Sequence, residues 1–429
     1  LVGSEMCIRD SPRRTPGDIV TAQPLAGMRI IEGSAFVAAP SGGMALAQLG
    51  ADVIRFDTIG GGIDHKRWPL TRDGVSIYWA GLNKGKRSVQ VDLRSPEGKE
   101  LLTALITEPD PDGGMFLTNF PASGWLDYDA LRERRSDLIM LQVIGNHDGS
   151  TALDYTVNCA VGYPAVTGPV DLDGVVNHVM PGWDIACGQA AAVGLLAAER
   201  HRFRTGEGQF VKLALSDVAL AAVAALGHVG EAQMNGAERE RLGNELYGAL
   251  GRDYVTADGR RVIAVAVSPN QWRALCGACD MVDEMAALAE ETGLDLDRNE
   301  GDRFTLRDRI HPFVEAWCAD RTLAQIAQRW DAAGVCWGPY QTFMQLVTDD
   351  DRCSTANPMF FDVEQPDIGT YLAPGSPLGF TQLGRRPPAP APVLGQHTDE
   401  VFAEVLGLSD SELGRLHDAG VIAGPARVR

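Results

Sequence analysis

The sequence predicts an α/β protein, with an open, Rossmann-like parallel sheet in its larger part and a second, smaller α+β domain. Over roughly the first 200 residues, short β-rich runs alternate with helix-like runs, and such alternation builds parallel strands because each crossover needs a connecting helix. After residue 250 the pattern changes to two strand-like runs about an Asp258-Gly259 turn, a hairpin signature. A chain of 429 residues with 45% hydrophobic content also exceeds what a single core commonly holds.

Residues 1–23 are rich in Arg, Pro and Ser and lack the apolar stretch and cleavage site of a signal peptide, so they read as a disordered or non-native tail. Met28-Arg29-Ile30-Ile31-Glu32 is a strand. Pro40-Ser41-Gly42-Gly43 then leads into an apolar helix over 44–49, Gly50-Ala51-Asp52 turns the chain, and 53–56 is the next strand. This βαβ unit has neither the GxGxxG spacing nor the Lys-Ser/Thr of a P-loop, so a dinucleotide site is unsupported. Residues 58–86 are Gly-rich and irregular, with Trp68, Tyr78 and Trp79 among them, and close on Asn83-Lys84-Gly85-Lys86-Arg87. Basic clusters usually face water; this one precedes a strand over 88–93 in an acidic protein and is a candidate anion site.

Ser95, Pro96 and the acidic residues after them make an N-cap, an N1 proline and a first turn suited to a helix. Strands follow over 115–118 and 138–144, with a short charged helix near Leu131 between them. Ligands of open α/β sheets bind beyond the carboxyl ends of strands, so the loops after 33, 57, 93, 118 and 144 are where a site is expected.

Asp184 stands directly before a small-residue apolar run whose length says helix, and an aspartate there is most often an N-cap. A tight turn over 204–209, a strand over 210–214 and a helix from 216 to about 234 follow. Residues 235–252 suit a linker; the hairpin runs to 266, and polar helices continue to about 333. The span 334–395 is Pro- and Gly-rich, too long for a loop unless it wraps a surface. Gly395 to Glu400 cap a helix over 401–406, and another starts near Ser411. His397 there reads as a turn residue, with a ligand or base as the sharper alternative. The expected organisation is a tail at 1–23, a large domain at 24–222, a linker helix and linker at 223–250, a small α+β domain at 251–335, and a return to the large domain over 336–429.

With 38 basic and 57 acidic side chains, the net charge of −19 argues against nucleic acid or an anionic membrane as partner, since both need a positive face. No apolar run approaches the roughly 18 residues of a membrane span. The eight cysteines have no regular spacing and read as reduced thiols of a cytoplasmic protein. Cys276-Gly-Ala-Cys279 lacks the second pair of a zinc ribbon and the βαβ setting of a redox motif, so no metal is expected.

In order along the chain, Pro24-Leu25-Ala26-Gly27-Met28-Arg29-Ile30, Leu49-Gly50-Ala51-Asp52-Val53-Ile54, Asn83 to Arg87, Ser95 to Leu102, Thr118-Asn119-Phe120, Arg204 to Gln209 and Leu394 to Val401 form a pattern that resembles the family III CoA-transferases. The resemblance covers residues 24 to about 422. It implies a large parallel-sheet domain completed by the C-terminal segment, a small domain between, and a homodimer of interlocked subunits. It places the catalytic aspartate on Asp184 and CoA contacts on Phe36, Val37, Ala38, Val91, Arg94, Asn119 and Phe120. Where relatives often carry arginines near the CoA phosphates, this chain has Thr58 and Asp127, which leaves Lys84, Lys86 and Arg87 as substitutes. The glycine-rich lid of some relatives is absent from 235–253.

Stretches 148–158, 166–169, 177–184, 243–248 and 251–253 resemble a branch of the family that moves CoA between the C1 and C4 carboxyl groups of one diacid, 2-methylfumarate (mesaconate). The substrate is then an acyl-CoA of a dicarboxylic acid, with no cofactor beyond the CoA it carries and with Tyr155 and Asn158 as candidates for holding the diacid. The alternatives are transfer to a separate acid, an α-methylacyl-CoA racemase, and a non-catalytic CoA-binding protein. Racemases carry a histidine where Tyr155 stands, and tyrosine, with an ordinary pKa near 10, is a poor base. The family's chemistry is attack by the aspartate on a thioester, giving an aspartyl-CoA intermediate. At an ordinary carboxylate pKa of about 3.9 the nucleophile is already ionised, and free N–H groups at its helix start are candidate oxyanion donors. A carboxylate tied up as a cap attacks poorly, so the Asp184 side chain is expected to turn away from the cap and into a cleft.

Overall fold

The computed structural model describes residues 23–425, so the tail assigned to 1–23 lies, apart from Gln23, outside the described residues. The chain forms two compact units. The first comprises the residues up to Asn158, Val179–Gly227 and the residues from Asp351 onward; the second comprises Cys159–His178 and His228–Asp350.

The strands of the first unit are β1 (Arg29–Gly33), β2 (Asp52–Asp57), β3 (Arg87–Val91), β4 (Met115–Thr118), β5 (Ile139–Ile144) and β6 (Gln209–Ala214). The second unit contains β7 (Leu250–Val255), β8 (Arg261–Ala266) and β9 (Cys336–Pro339), and the returning chain adds a β10 (Phe360–Gln365) to β11 (Gly369–Pro374) hairpin and the short β12 (Ile422–Ala423). The large sheet has the order β12-β3-β2-β1-β4-β5-β6, all parallel except for β12, which runs antiparallel along β3. The progression reverses direction between β1 and β4, the switch point at which the loops of two neighbouring strands diverge and leave a crevice.

The strands β1 to β5 are buried along most of their length, with apolar residues packed on one face and buried polar residues such as Glu32, Arg55, Ser88 and Gln90 among them. Ile31, Ile54, Phe56, Val89, Phe116 and Met140 pack with Leu102, Leu105 and Ile106 of the Pro96–Ile106 helix and with Val401, Phe402, Leu416 and Ile422 of the C-terminal segment. Each such side chain contributes about 1.5–3 kcal/mol. The Ser95 cap is as expected, its hydroxyl accepting from the Gly98 N–H at 3.3 Å with Pro96 at N1. His397 is a structural residue: its Nδ1 accepts from the Ser88 N–H at 3.2 Å and its own N–H donates to the Ser88 carbonyl, tying the C-terminal segment to β3.

In the second unit β7, β8 and β9 form an antiparallel sheet packed with helices that include Pro269–Ala278 and Leu323–Ala333, each opened by a capping box. Trp317 stacks on Trp330 at 5.6 Å between ring centres. Cys276 and Cys279 are buried in this core, where burial pushes both thiols up to about 12.

Three expectations are revised. Residues 159–178, placed at first in the large domain, group with the second unit; they contain no strand, and Arg241 gathers the carbonyls of Ala165, Leu172 and Gly174 at 2.5–2.8 Å. The span 334–395 carries β9, the Phe343–Asp349 helix and the β10–β11 hairpin, elements too short to stand out among prolines and glycines. The helix expected over 216–234 is two, Leu215–Ala225 and His228–Asn235, separated at Gly227, whose φ of 85° no helix accommodates. Among the described residues no single helix is long and apolar enough to cross a membrane.

Candidate active site

A cavity of about 750 Å³ opens at the switch point, lined by the loops that follow β1, β4 and β5. Its volume falls in the range of small-molecule sites. Phe36, Val37 and Ala38 come from the first loop, Asn119 from the second, and a longer run that includes Asp148, Asp154 and Tyr155 from the third; Asp184 joins them from the Gly182–Thr205 helix.

Backbone contact between two helices brings Asp184 to the β1 loop. A side-chain carbon on Gly188 would lie 2.6 Å from the Ala38 carbonyl, and one on Gly42 would lie 2.8 Å from the Gly188 carbonyl. Only glycine allows this approach. Asp184 is one turn before Gly188, so it shares that face and is held near the start of the Ala38–Ala47 helix. Phe36, with φ 67°, turns the β1 loop through the left-handed region that non-glycine residues rarely occupy. The N–H groups of Val37 and Ala38 donate to no protein atom among the described residues.

Asp184 is not the N-cap. It is the third residue of its helix, whose cap position is Pro181. The capping carboxylate is Asp154, whose Oδ2 accepts from the N–H groups of Trp183 at 2.7 Å and Asp184 at 2.9 Å. The Gly182 and Ile185 N–H groups donate to the Met180 and Pro181 carbonyls. The first turn therefore offers no free donors, and the oxyanion role expected of this helix start does not hold. The expectation that the Asp184 side chain leaves the cap and faces a cleft does hold.

Burial, then the nearby negative charge of Asp154, push the Asp184 carboxyl up to about 7, with Arg67 acting in the opposite direction. Asp184 is thus not ionised throughout the neutral range, contrary to what an ordinary carboxylate pKa suggested. A reaction that uses the Asp184 carboxylate is expected to slow as pH drops through about 7. A kcat/KM profile that stayed flat from pH 8 to pH 5.5 would contradict this.

The helix Asp154–Ala160 separates the two candidates for holding the diacid. Asp154 and Asn158 are four residues apart and face the Gly182–Thr205 helix, where the Asn158 amide oxygen accepts from the Trp183 indole at 3.2 Å. Asn158 is 1% exposed and positions that helix instead of lining the cavity; Tyr155, 46% exposed, does line it.

The basic cluster is also corrected. Lys86 is buried, donating to Glu32 at 2.8 Å, to the Pro40 carbonyl and to Asn83. Lys84 is buried with its amine on the Gly81 carbonyl, and Arg87 is paired with Asp52 and Glu404. Burial holds both lysines down to about 8. Lys86 belongs to a buried network in which Glu32 also meets Arg55, and Arg55 binds Asp57 and Asp64, because charge inside a protein must be neutralised locally. Val91 is fully buried in the sheet, Phe120 packs against Phe56 at 6.2 Å, and Arg94 is exposed on the loop after β3; none of the three lines the cavity.

The cavity adds residues that sequence reasoning did not select: Arg67, Tyr78, His147, Asp154 and Lys212. Their common signal was position in the loops after β2 and β5, or at the sheet edge, with no motif to single them out. Burial raises the Tyr78 phenol to about 12, and its hydroxyl is buried with no hydrogen-bond partner among the described residues.

An open parallel sheet with a half-buried carboxylate in a switch-point cavity has the layout of an α/β enzyme. The chain belongs to CoA-transferase family III, whose family model matches residues 25–398. It is 56% identical over 404 residues to the 2-methylfumaryl-CoA isomerase of Chloroflexus aurantiacus, covering 94% of this chain and 98% of that one. It is 29% identical over 418 residues to the succinyl-CoA–D-citramalate CoA-transferase of the same organism, covering 93% and 98%. Among solved structures, a CAIB/BAIF family protein from Brucella suis superposes with a TM-score of 0.72 at 23% identity, covering 89% of this chain and 99% of that one, which establishes the shared fold.

Proposed function

We propose that this protein moves CoA between the C1 and C4 carboxyl groups of 2-methylfumarate, acting as an isomerase through an Asp184 thioester. The observation that carries the reading is the near full-length 56% identity to a 2-methylfumaryl-CoA isomerase. The placement of Asp184 in the cavity supports the mechanism.

A carboxylate oxygen of Asp184 attacks the C1 thioester carbonyl and expels CoA thiolate, leaving a mixed anhydride. The thiolate attacks the aspartyl carbonyl, which forms the Asp184–CoA thioester and frees the diacid with both carboxylates ionised. The C4 carboxylate then attacks that thioester and expels the thiolate again. The thiolate finally attacks the C4 carbonyl, giving the C4 thioester and restoring the Asp184 carboxylate. The free N–H groups of Val37 and Ala38 are the donors best placed for the oxyanions. We take the working form to be a homodimer, a reading supported by exposed apolar side chains such as Val193 and Phe203 on the Gly182–Thr205 helix.

Incubating the protein with the C1 thioester and labelled free 2-methylfumarate tests this. The expected result is C4 thioester without label. Full label uptake would establish transfer to a separate acid instead.

A further inference from the structure

We propose that Arg67 holds whichever carboxylate of the diacid is not reacting, and so retains the freed acid in the cavity between the two halves of the transfer. This rests on the intramolecular reading above and specifies how it is enforced.

Arg67 lies on the cavity wall with Asp184, its guanidinium carbon 5.3 Å from the centre of the Phe36 ring and 5.4 Å from that of Tyr78. A guanidinium bordered by two rings and held by no carboxylate keeps N–H groups for one, in the bidentate geometry arginine favours. Among the described residues it has no ion pair within 4.0 Å, whereas Arg55, Arg87 and Arg202 are committed to buried or partly buried partners. Lys212 also lines the cavity, yet Arg67 is the cation whose charge acts on Asp184.

The loop holding Arg67 is anchored. Its N–H donates to the Asp64 carbonyl at 3.2 Å and its carbonyl accepts from the Ser76 hydroxyl at 2.6 Å, while the Asp64 carboxylate is gripped by Arg55 at 3.0 Å. Charge balance then gives the cation its task. Before reaction Arg67 faces the Asp184 carboxylate and the one free carboxylate of the substrate. Once Asp184 is a neutral thioester, the diacid carries two negative charges in a cavity that already contains Asp148 and Asp154. Without a cation it would be expelled. With one, the C1 carboxylate takes the place on Arg67 that the C4 carboxylate leaves.

The test compares the parent protein with R67Q and R67K, supplied with the C1 thioester and labelled free diacid. Three quantities are followed: CoA adduct on the Asp184 peptide, diacid released, and label in the C4 thioester. In R67Q the adduct is expected to form still, while released diacid per C4 product rises by about tenfold or more, the worth of a charged hydrogen bond, and label enters the product. R67K, which keeps the charge and loses the fork, is expected to fall between. A monocarboxylic enoyl-CoA, assayed well above pH 7 so that Asp184 is ionised with or without Arg67, separates holding from scaffolding: R67Q should raise its KM far less than that of the dicarboxylic thioester, since it has no second carboxylate to lose. An unchanged release ratio in R67Q and R67K, or an equal rise in KM for mono- and dicarboxylic thioesters, overturns the proposal. A parent protein that forms no Asp184 adduct fails instead at the mechanism proposed above.

Discussion

Asp184→Asn is expected to lower CoA transfer by at least about a thousandfold and, above pH 7, to raise the melting temperature. The amide cannot form the anhydride or the thioester, so the loss falls on kcat rather than on substrate binding. The stability gain follows from the raised carboxyl pKa. A group that binds its proton more tightly folded than unfolded stabilises the fold fully below its unfolded pKa near 3.8, and that stabilisation is lost as pH rises through about 7. Above 7 the parent carries a desolvated carboxylate near a second one, at a cost of up to a few kcal/mol. The asparagine variant avoids that cost, a trade common at active sites. Full activity in the variant would remove Asp184 from the chemistry, and a melting temperature unchanged at pH 8 would contradict the strained carboxylate.

Asp154→Ala is expected to lower kcat by about a hundredfold and stability by about 1–3 kcal/mol. It leaves the Trp183 and Asp184 N–H groups without their buried acceptor and loosens the helix start that aims the nucleophile. Asp154→Asn separates the two parts of this role. It keeps an acceptor oxygen for the N–H groups but removes the charge that helps hold the Asp184 proton, so the acid limb of the pH–rate profile should move to lower pH with most of the stability retained. If the asparagine variant behaved like the alanine variant with an unmoved profile, Asp154 would be a cap and nothing more. Circular dichroism melts and kcat/KM against pH give both readouts.

Much of the site was legible before any coordinates. Strand–helix alternation located the loops after β1, β4 and β5, and the ordered motifs of the family pointed to Asp184 and to Phe36, Val37, Ala38 and Asn119, which line one cavity. What misled was the treatment of single residues as local. Asp184 looked like a cap because an aspartate near a helix start usually is one; the capping group comes from thirty residues earlier, and no local pattern shows that Asp154 will face the Trp183 and Asp184 amides. Lys84, Lys86 and Arg87 looked like a phosphate site because basic runs are normally solvated. Lys86 and Arg87 are met by Glu32 and Asp52, which the sheet brings against them, and Lys84 turns back onto the Gly81 carbonyl. Asn158 and Tyr155 looked equivalent until the helix set one toward Trp183 and the other toward the cavity.

Composition and the order of motifs along the chain were sufficient for the fold class and the family, because hydrophobic period and motif spacing are properties of neighbours in sequence. Only the tertiary structure decided that Asp154 caps while Asp184 lines the cavity, that Lys86 is consumed in the interior, and that Arg67 is left facing the cavity. Electrostatic roles depend on burial and on partners tens or hundreds of residues away. In this protein Gly42 against Gly188, Asp154 under the Gly182–Thr205 helix and the Arg55 network settle those partners through backbone approach and local charge neutrality.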